Sequence, residues 1–265
     1  MHRRAFLTSS LAATGAAALG GVSATQTHAA DATAGTREYY ELRTYHLVAG
    51  PKQKLFEEYV AQAAIPALNR IGIGPVGVFA PTVESENPAV HVLIPYSSIN
   101  QFAEANDQMR SDKEYQRLGA PFINLPPSDP PYVRVESSLM VAFSGMPKLE
   151  KPAPKPRLFE LRTYESHSKK AAKKKIEMFN VGEIAIFRRA GLQPVFFGET
   201  LIGTRLPNLT YMLVYDDRPA HDKAWSAFGK DPEWKKLSTT PGYTDPEIVS
   251  KITNVFLQPL ACSQI

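Results

Sequence analysis

The sequence predicts an α+β protein built from two tandem ferredoxin-like repeats, each with the element order βαββαβ. The first observation is an internal match: the hexapeptide YELRTY at residues 40–45 returns as FELRTY at residues 159–164. The second is that this offset of 119 residues persists, pairing residues 65–72 with residues 184–191. The third is that both copies show the same succession of strand and helix patterns. A chance hexapeptide match would not keep its register over such a distance.

The first repeat opens with an alternating strand over residues 39–46, followed by a long helix from about residue 51 to residue 70. Apolar residues recur at helical spacing along this helix, and Gly72 suits the position after its last turn. Pro66 predicts a kink, because proline lacks the N–H group that a helix needs. The remaining elements are strands near 76–80 and 90–96, a helix around 99–105 that extends towards residue 118, and a final strand over 132–141.

The second repeat shows the same order of elements. Its opening strand contains the FELRTY segment, and its long helix spans about residues 168–190. Ala185 stands there in the place of Pro66, so no kink is expected in this copy. The repeat then continues with strands over 195–199 and 209–215, a short helix over 220–228, a further turn over 231–237 and a last strand over 252–257.

The chain divides accordingly into two repeats of ordinary domain size, over residues 37–146 and residues 157–265. Between them, residues 147–156 are rich in proline and lysine, a composition that disfavours both helix and strand pairing. The hydrophobic content of 43% is sufficient for packed cores.

The first 29 residues have the pattern of an export signal: a charged start, a short apolar stretch over residues 11–22, and small residues before a cleavage point. Arg3 and Arg4 precede Phe6-Leu7 at the spacing of a twin-arginine motif. This predicts export by the twin-arginine machinery to the periplasm or another extracytoplasmic space, with residues 30–36 as a short spacer. A general secretory signal that happens to carry two arginines is the alternative.

Composition excludes several function classes. Removing the signal lowers the net charge from +4 to +2, which argues against a nucleic-acid-binding surface. The apolar stretch is shorter than the roughly 20 residues of a membrane-spanning helix, so no membrane span is expected in the mature protein. Cys262 is the single cysteine, and no histidines fall at a metal-ligand spacing, so neither an intrachain disulfide nor a metal site is predicted.

Three segments of the sequence resemble the NIPSNAP family: the duplicated Glu-Leu-Arg-Thr-Tyr strand, the stretch IAIFRRAGLQPV at residues 184–195, and DPEW at residues 231–234. The resemblance covers essentially residues 37–265 and places the chain in the dimeric α/β-barrel superfamily. It implies that two ferredoxin-like sheets close face to face into a barrel, which here would form within one chain. Further association into a homo-oligomer is left open, and the resemblance implies no settled molecular activity.

The opening strands carry the candidate site residues. Alternation places Glu41, Arg43 and Tyr45 on one face of the first strand, and the second copy repeats the pattern. Since the other face is apolar enough to meet the helices, we expect these side chains to converge on the barrel interior. Two interpretations stay open, namely buried Glu–Arg pairs that fix how the repeats dock, or a ligand pocket with arginine and tyrosine donors. The candidates in the second copy are Glu160, Arg162 and Tyr164.

His91 is the histidine of interest, because it interrupts the apolar run Val90-His91-Val92-Leu93-Ile94. An offset of 120 residues aligns it with Tyr211, and both are expected to face the barrel interior. A hydrogen-bonded core histidine without a function is the alternative. The other histidines of the mature part, at positions 46, 167 and 221, are expected at the surface.

Two classes of function follow, and the sequence does not decide whether the protein is an enzyme. The first is small-molecule binding, with cofactor-independent oxygenase-like or isomerase-like chemistry implied by resemblance to barrel relatives. The second is a non-catalytic interaction module with a structural polar interior. A weaker alternative is haem binding, for which His91 would be the axial ligand. No other cofactor is predicted.

Overall fold

The computed structural model of the protein describes residues 36–83, 88–155 and 157–265. The predicted signal peptide, residues 1–29, lies outside the described residues, as does nearly all of the predicted spacer. Within the described part of the chain, no helix combines the length and apolar character needed to cross a membrane.

The described residues of the first repeat form four strands and four α-helical segments. Ser98 begins α3 by accepting the backbone N–H of Gln101, and Asp112 begins α4 by accepting that of Tyr115. After α2 the chain turns at Gly72, whose φ of 74° is a conformation that favours glycine. The elements are β1 Tyr39–His46, α1 Pro51–Tyr59, a π-helical turn Val60–Ala64, α2 Ile65–Arg70, β2 Gly77–Pro81, β3 Ala89–Tyr96, α3 Ile99–Ser111, α4 Lys113–Ile123 and β4 Arg134–Ala142.

The second repeat follows the same plan with one additional short helix before its last strand. Ser168 and Asp217 supply the N-caps of its two longer helices. The elements are β5 Leu158–Glu165, α5 Lys169–Met178, a π-helical turn Phe179–Glu183, α6 Ile184–Ala190, β6 Gln193–Ile202, β7 Asn208–Tyr215, α7 Arg218–Lys230, α8 Pro232–Ser238, α9 Asp245–Ile248 and β8 Lys251–Pro259.

The long helix of each repeat is interrupted by a π-helical turn at the equivalent place. Only the first copy has a proline just after this turn, at Pro66, where the second copy has Ala185. The sequence predicted a kink at Pro66 and none in the second copy, and it did not predict this shared π-helical turn. The irregularity belongs to both copies, and such π-helical turns are frequent near functional sites.

The eight strands close into one antiparallel barrel in the order β1-β3-β2-β8-β5-β7-β6-β4. The two repeats join at two seams, where β2 pairs with β8 and β4 pairs with β6. This confirms the predicted α+β architecture of two ferredoxin-like repeats that form an intrachain barrel.

The barrel interior is packed with apolar side chains from both repeats. Tyr40 and Phe159 are fully buried there, and Leu42 and Leu161 belong to the same cluster. The opposite faces of these strands pack against helices, since Tyr45 joins the helices of the first repeat and Tyr164 those of the second. Even-numbered residues of β1 therefore point into the barrel, and odd-numbered residues point towards the helical layer.

The predicted orientation of the opening strands is thus wrong. Glu41, Arg43 and Tyr45 lie beneath the helices of the first repeat, and Glu160, Arg162 and Tyr164 lie beneath those of the second. The physical reason is that both faces of a barrel strand are covered, so alternation separates two faces without saying which one is inside. The face with the larger apolar side chains closes the barrel, and the Glu and Arg side chains find hydrogen-bond partners under the helices.

Candidate functional site

A charged pair occupies the outer face of β1. Arg43 donates from Nε to Glu41 Oε1 at 2.6 Å and from Nη2 to Oε2 at 2.8 Å. Tyr96 and Ser137 also donate to this carboxylate, at 2.9 and 2.7 Å. Burial alone would raise the pKa of Glu41, but Arg43 and the two hydroxyls outweigh it and hold the pKa below its usual range. The pair is therefore ionised, and Arg43 keeps further N–H groups for other partners.

A cleft lies over this pair, between the sheet and the helical layer of the first repeat. Its enclosed part is a cavity of about 190 Å³, and a more open cavity of about 430 Å³ adjoins it. Both parts are lined by Arg43, Tyr45, Tyr59 and Asn106. The walls of the enclosed part are mostly apolar and include Val60, Ala64, Ile65, Leu68, Val76, Val92, Ile94 and Met109.

Tyrosine hydroxyls supply the polar side of the cleft. The hydroxyl groups of Tyr59 and Tyr115 are 2.8 Å apart, and the Tyr59 ring stacks on Phe122 with ring centroids 4.4 Å apart. Burial raises the pKa of Tyr45 and of Tyr59, although Arg43 acts in the opposite direction on both. These phenols are therefore protonated near neutral pH, so the cleft presents hydrogen-bond donors beside a fixed positive charge.

The second repeat carries the corresponding pair, in a more crowded setting. Arg162 Nη1 donates to Glu160 Oε1 at 2.6 Å. The fully buried carboxylate also accepts hydrogen bonds from Tyr215, Trp225 and Asn254. Burial alone would raise the pKa of Glu160, but the charge of Arg162 and the hydrogen bonds from Asn254 and Arg162 outweigh it and lower the pKa.

Aromatic side chains occupy the place of the cleft in the second repeat. Residues 119 apart are equivalent, since α3 and α7 have bounds that differ by this offset. Trp225 stands at the position of Asn106, and its ring centroid lies 4.6 Å from the Arg162 guanidinium carbon. Three further exchanges enlarge the side chain, with Phe179 for Val60, Phe187 for Leu68 and Tyr211 for Val92. The two repeats are therefore alike in fold and different at this site.

A separate polar pocket of about 140 Å³ lies at one end of the barrel interior, between the repeats. His91 lines it, and its Nδ1 lies 3.0 Å from Thr44 Oγ1. Tyr211 instead faces the helices of the second repeat, so the expectation for this residue is wrong. The offset stays at 119 residues along β3 and β7, which makes Thr210 the counterpart of His91.

The predicted site residues therefore form three groups rather than one shared interior cavity. Arg43 lines the cleft of the first repeat with Tyr45, over Glu41. Arg162 and Glu160 lie under the helices of the second repeat with Tyr164 and Tyr211. His91 alone of the eight lines the pocket between the repeats.

Sequence reasoning missed His221, which was expected at the surface. Its side chain is only 12% exposed, and its Nε2 lies 3.4 Å from Glu160 Oε2. Comparison of the two repeats could have identified this buried position. The residue of the first repeat that is equivalent to His221 is Phe102. Phe102 packs edge-on against Tyr96, as His221 packs against Tyr215. An aromatic counterpart on an apolar helix face indicates a packed position. Asn106, Tyr59 and Tyr115 of the cleft were also missed.

The described residues offer no group of three or more His, Cys, Asp or Glu side chains that could hold a metal ion. Haem, the weaker alternative, would need His91 as its axial ligand, but the pocket beside His91 is about 140 Å³. Ligand pockets are usually about 300–1,000 Å³, so this one does not fit a macrocycle. No histidine lines the larger cleft.

The NIPSNAP family profile matches residues 40–125 and residues 159–264, which is one match in each repeat. The chain belongs to the NIPSNAP family. The two matched segments contain the first three strands of the first repeat and all four strands of the second. A search of curated proteins gave no match to this NIPSNAP sequence.

Solved structures share the barrel of this NIPSNAP protein. A candidate monooxygenase from Fusobacterium nucleatum has 14% sequence identity and a TM-score of 0.56 over 85% of this chain and 93% of its own. A candidate monooxygenase from Lactobacillus acidophilus has 10% identity and a TM-score of 0.53, over 84% and 94%. An anthrone oxidase-like protein has 11% identity and a TM-score of 0.50, over 84% and 92%. At these identities the likeness concerns the fold alone.

Proposed function

We propose that this protein binds a small, planar organic molecule with a carboxylate or phenolate oxygen, in the cleft of the first repeat. The observation that carries the proposal is the setting of Arg43. Glu41 fixes the guanidinium through two hydrogen bonds, while the cleft above it stays open where Trp225 fills the second repeat. A fixed, permanently charged donor at the floor of a concave apolar site is the usual design for orienting an anionic ligand.

The size and lining of the cleft indicate the class of ligand. The enclosed cavity of about 190 Å³ and the adjoining one of about 430 Å³ suit one or two aromatic rings. The apolar wall would bury the ring faces, and Tyr45, Tyr59 and Asn106 would donate hydrogen bonds at its polar side. The proposed binding needs no cofactor.

The cleft is better equipped to stabilise an oxyanion than to abstract a proton. The carboxylate nearest to it, Glu41, is committed to Arg43, Tyr96 and Ser137, and its lowered pKa makes it a weak base. Oxygenase-like or isomerase-like chemistry without a cofactor would therefore act on a ligand that already carries an enolate or phenolate, which Arg43 would stabilise. The fold of the candidate monooxygenases supports this extension by analogy only.

We further propose that the protein is exported by the twin-arginine machinery and acts in the periplasm or another extracytoplasmic space. Arg3 and Arg4, ahead of a weakly apolar stretch, support this proposal. The test is to change both arginines to lysine and to follow the mature protein by cell fractionation. Export at the full rate by this variant would contradict the assignment.

Native mass spectrometry of the untreated protein tests the binding proposal without assuming a ligand. We expect a small organic adduct on the wild-type protein, and we expect Asn106→Trp to remove it, because tryptophan at this position fills the second repeat. An aromatic carboxylate adduct that Asn106→Trp retains would overturn the proposal. So would a wild-type protein that gains no adduct even after incubation with a mixture of aromatic carboxylates.

A further inference from the structure

The pocket between the repeats is distinct from the cleft and is not used by the proposed function. It lies inside one end of the barrel, where both repeats contribute side chains. Most of the barrel interior is apolar, but at this level it carries His91 and the hydroxyl groups of Thr44, Thr163, Thr210 and Thr253. A ring of hydrogen-bonding groups at one level of an apolar interior is a site for a polar group of limited size.

Two cross-strand pairs at equivalent positions form most of this ring, and Thr253 is its fifth member. Thr44 Oγ1 lies 3.0 Å from His91 Nδ1 in the first repeat, and Thr163 Oγ1 lies 3.0 Å from Thr210 Oγ1 in the second. Each pair uses only part of its hydrogen-bonding capacity, since a hydroxyl offers one donor and two acceptors and an imidazole has a second nitrogen. The two pairs differ at one position, because His91 of the first repeat, with its second ring nitrogen, stands where the second repeat has Thr210.

The pocket has an apolar floor and a small volume. Leu42, Met140, Leu161 and Val255 line it and lead into the barrel core. Its volume of about 140 Å³ is close to that of an engineered apolar cavity of about 150 Å³ that holds one benzene molecule. The space therefore suits a single ring, with the floor below it and the ring of polar groups beside it.

The turn between β6 and β7 shapes the rim of the pocket. Arg205 lines the pocket with a φ of 57°, a conformation that is uncommon outside glycine and concentrates at functional sites. Asn208 holds this turn by donating to the backbone oxygens of Thr204 and Arg205, at 2.9 and 3.0 Å. Thr200 in turn donates to Asn208 Oδ1 at 2.6 Å. The buried side chains of Thr200 and Asn208 thus hold the exposed turn that forms the rim.

The charges around the pocket favour a neutral ligand. Burial, and secondarily the neighbouring His46, lowers the pKa of His91 to about 4, so the imidazole is uncharged near neutral pH. Glu136 and Arg205 line the pocket with opposite charges. No net charge therefore selects an anion or a cation.

We propose that this pocket is a second binding site, for a neutral, hydroxylated single-ring molecule of the size of phenol. The ring would lie on Leu42, Met140 and Leu161, and the hydroxyl group would bond to His91 and to the neighbouring threonine hydroxyls. The site is separate from the cleft, because the two lie on opposite faces of the sheet and share only Ser137 among their lining residues.

Phenol is the probe, and the imidazole signals of the protein in a ¹H–¹⁵N NMR spectrum are the readout. Phenol at millimolar concentrations should shift the His91 signal, which the variant His91→Gln identifies by its loss. The shift should saturate, and it should persist in Asn106→Trp, in which the cleft is filled. Benzene, which lacks the hydroxyl group, should bind at least tenfold more weakly.

One substitution in the pocket and one control outside it test whether phenol binds at this ring of polar groups. Thr210→Val removes one hydroxyl of the ring and should weaken phenol binding about tenfold, the effect of one hydrogen bond. Thr82→Val is the matched control, because Thr82 is exposed and does not line the pocket, and this variant should bind phenol as the wild type does. A His91 signal that phenol does not move would overturn the proposal. So would a shift that Asn106→Trp abolishes, or equal affinity in Thr210→Val and wild type.

Discussion

Trp225 and Asn106 occupy equivalent positions in the two repeats, and they give the two repeats different surfaces. The Trp225 ring lies 4.6 Å from the guanidinium carbon of Arg162, whereas Asn106 lines the open cleft beside Arg43. The Glu–Arg pair beneath is present in both copies. Both repeats thus keep the buried charge pair, but only the pair of the first repeat has open space above it. This arrangement is expected if the first repeat binds a ligand and the second supports the fold.

The Glu41–Arg43 pair should behave as a buried ion pair. Arg43→Met leaves a carboxylate that is 6% exposed without its counter-charge, and should lower the free energy of unfolding by about 3–5 kcal/mol. The double variant Glu41→Leu/Arg43→Met should recover much of this loss, because it removes the unpaired charge as well. Urea unfolding curves of the three proteins test the prediction. A double variant no more stable than Arg43→Met would contradict it.

The same pairs predict how stability changes in acid. The folded-state pKa values of Glu41 and Glu160 are lowered. The two carboxylates therefore contribute their full share to the free energy of unfolding above the unfolded-state pKa of about 4.3. This contribution is lost as the pH falls through the lowered folded-state values. Unfolding midpoints measured from pH 7 down to pH 3 should therefore fall steeply at the acid end. In Glu41→Gln, which does not titrate, the fall should be shallower, and an unchanged slope would contradict the assignment.

A third buried pair distinguishes the long helix of the second repeat. Lys175 Nζ lies 3.0 Å from Glu183 Oε2, and both side chains are almost fully buried. The equivalent residues of the first repeat are Phe56 and Ala64. Lys175→Met should cost about 3–5 kcal/mol, because it leaves Glu183 unpaired.

The double variant Lys175→Phe/Glu183→Ala installs the residues of the first repeat and should be more stable than Lys175→Met. Thermal unfolding of the three proteins, followed by circular dichroism, is the measurement. If the double variant unfolds at a lower temperature than the single one, the pair is not a replaceable ion pair and this interpretation fails.

The fold could be predicted from the sequence because its signals are periodic and duplicated. The offset of 119 residues recurs in strand β5, in helix α7 and in the cross-strand partners of β1 and β5. The short helix α9 was not predicted, since Asp245–Ile248 is only four residues long and gives no helical period.

The site was harder to predict, because alternation on a strand is symmetric between its two faces. Glu41 and Arg43 were correctly grouped with Tyr45, but the group was placed on the wrong side of the sheet. His91 was aligned with Tyr211, one residue away from its true counterpart Thr210. A shift of one residue along a strand moves a side chain to the opposite face of the sheet. The cleft itself depends on the volumes of the side chains that line it. Aligning every residue of the first repeat with the residue 119 positions later shows Trp225 in the place of Asn106.

Calorimetric titration with 2-naphthoate measures whether the open cleft of the first repeat binds an aromatic anion. The wild-type protein should bind 2-naphthoate, and Asn106→Trp should bind it at least tenfold more weakly. Gln108→Trp, an exposed position on the same helix, is the matched control and should bind as the wild type does. Equal affinity in wild type and Asn106→Trp, or no heat of binding in the wild type, would mean that the cleft is not a binding site for aromatic anions.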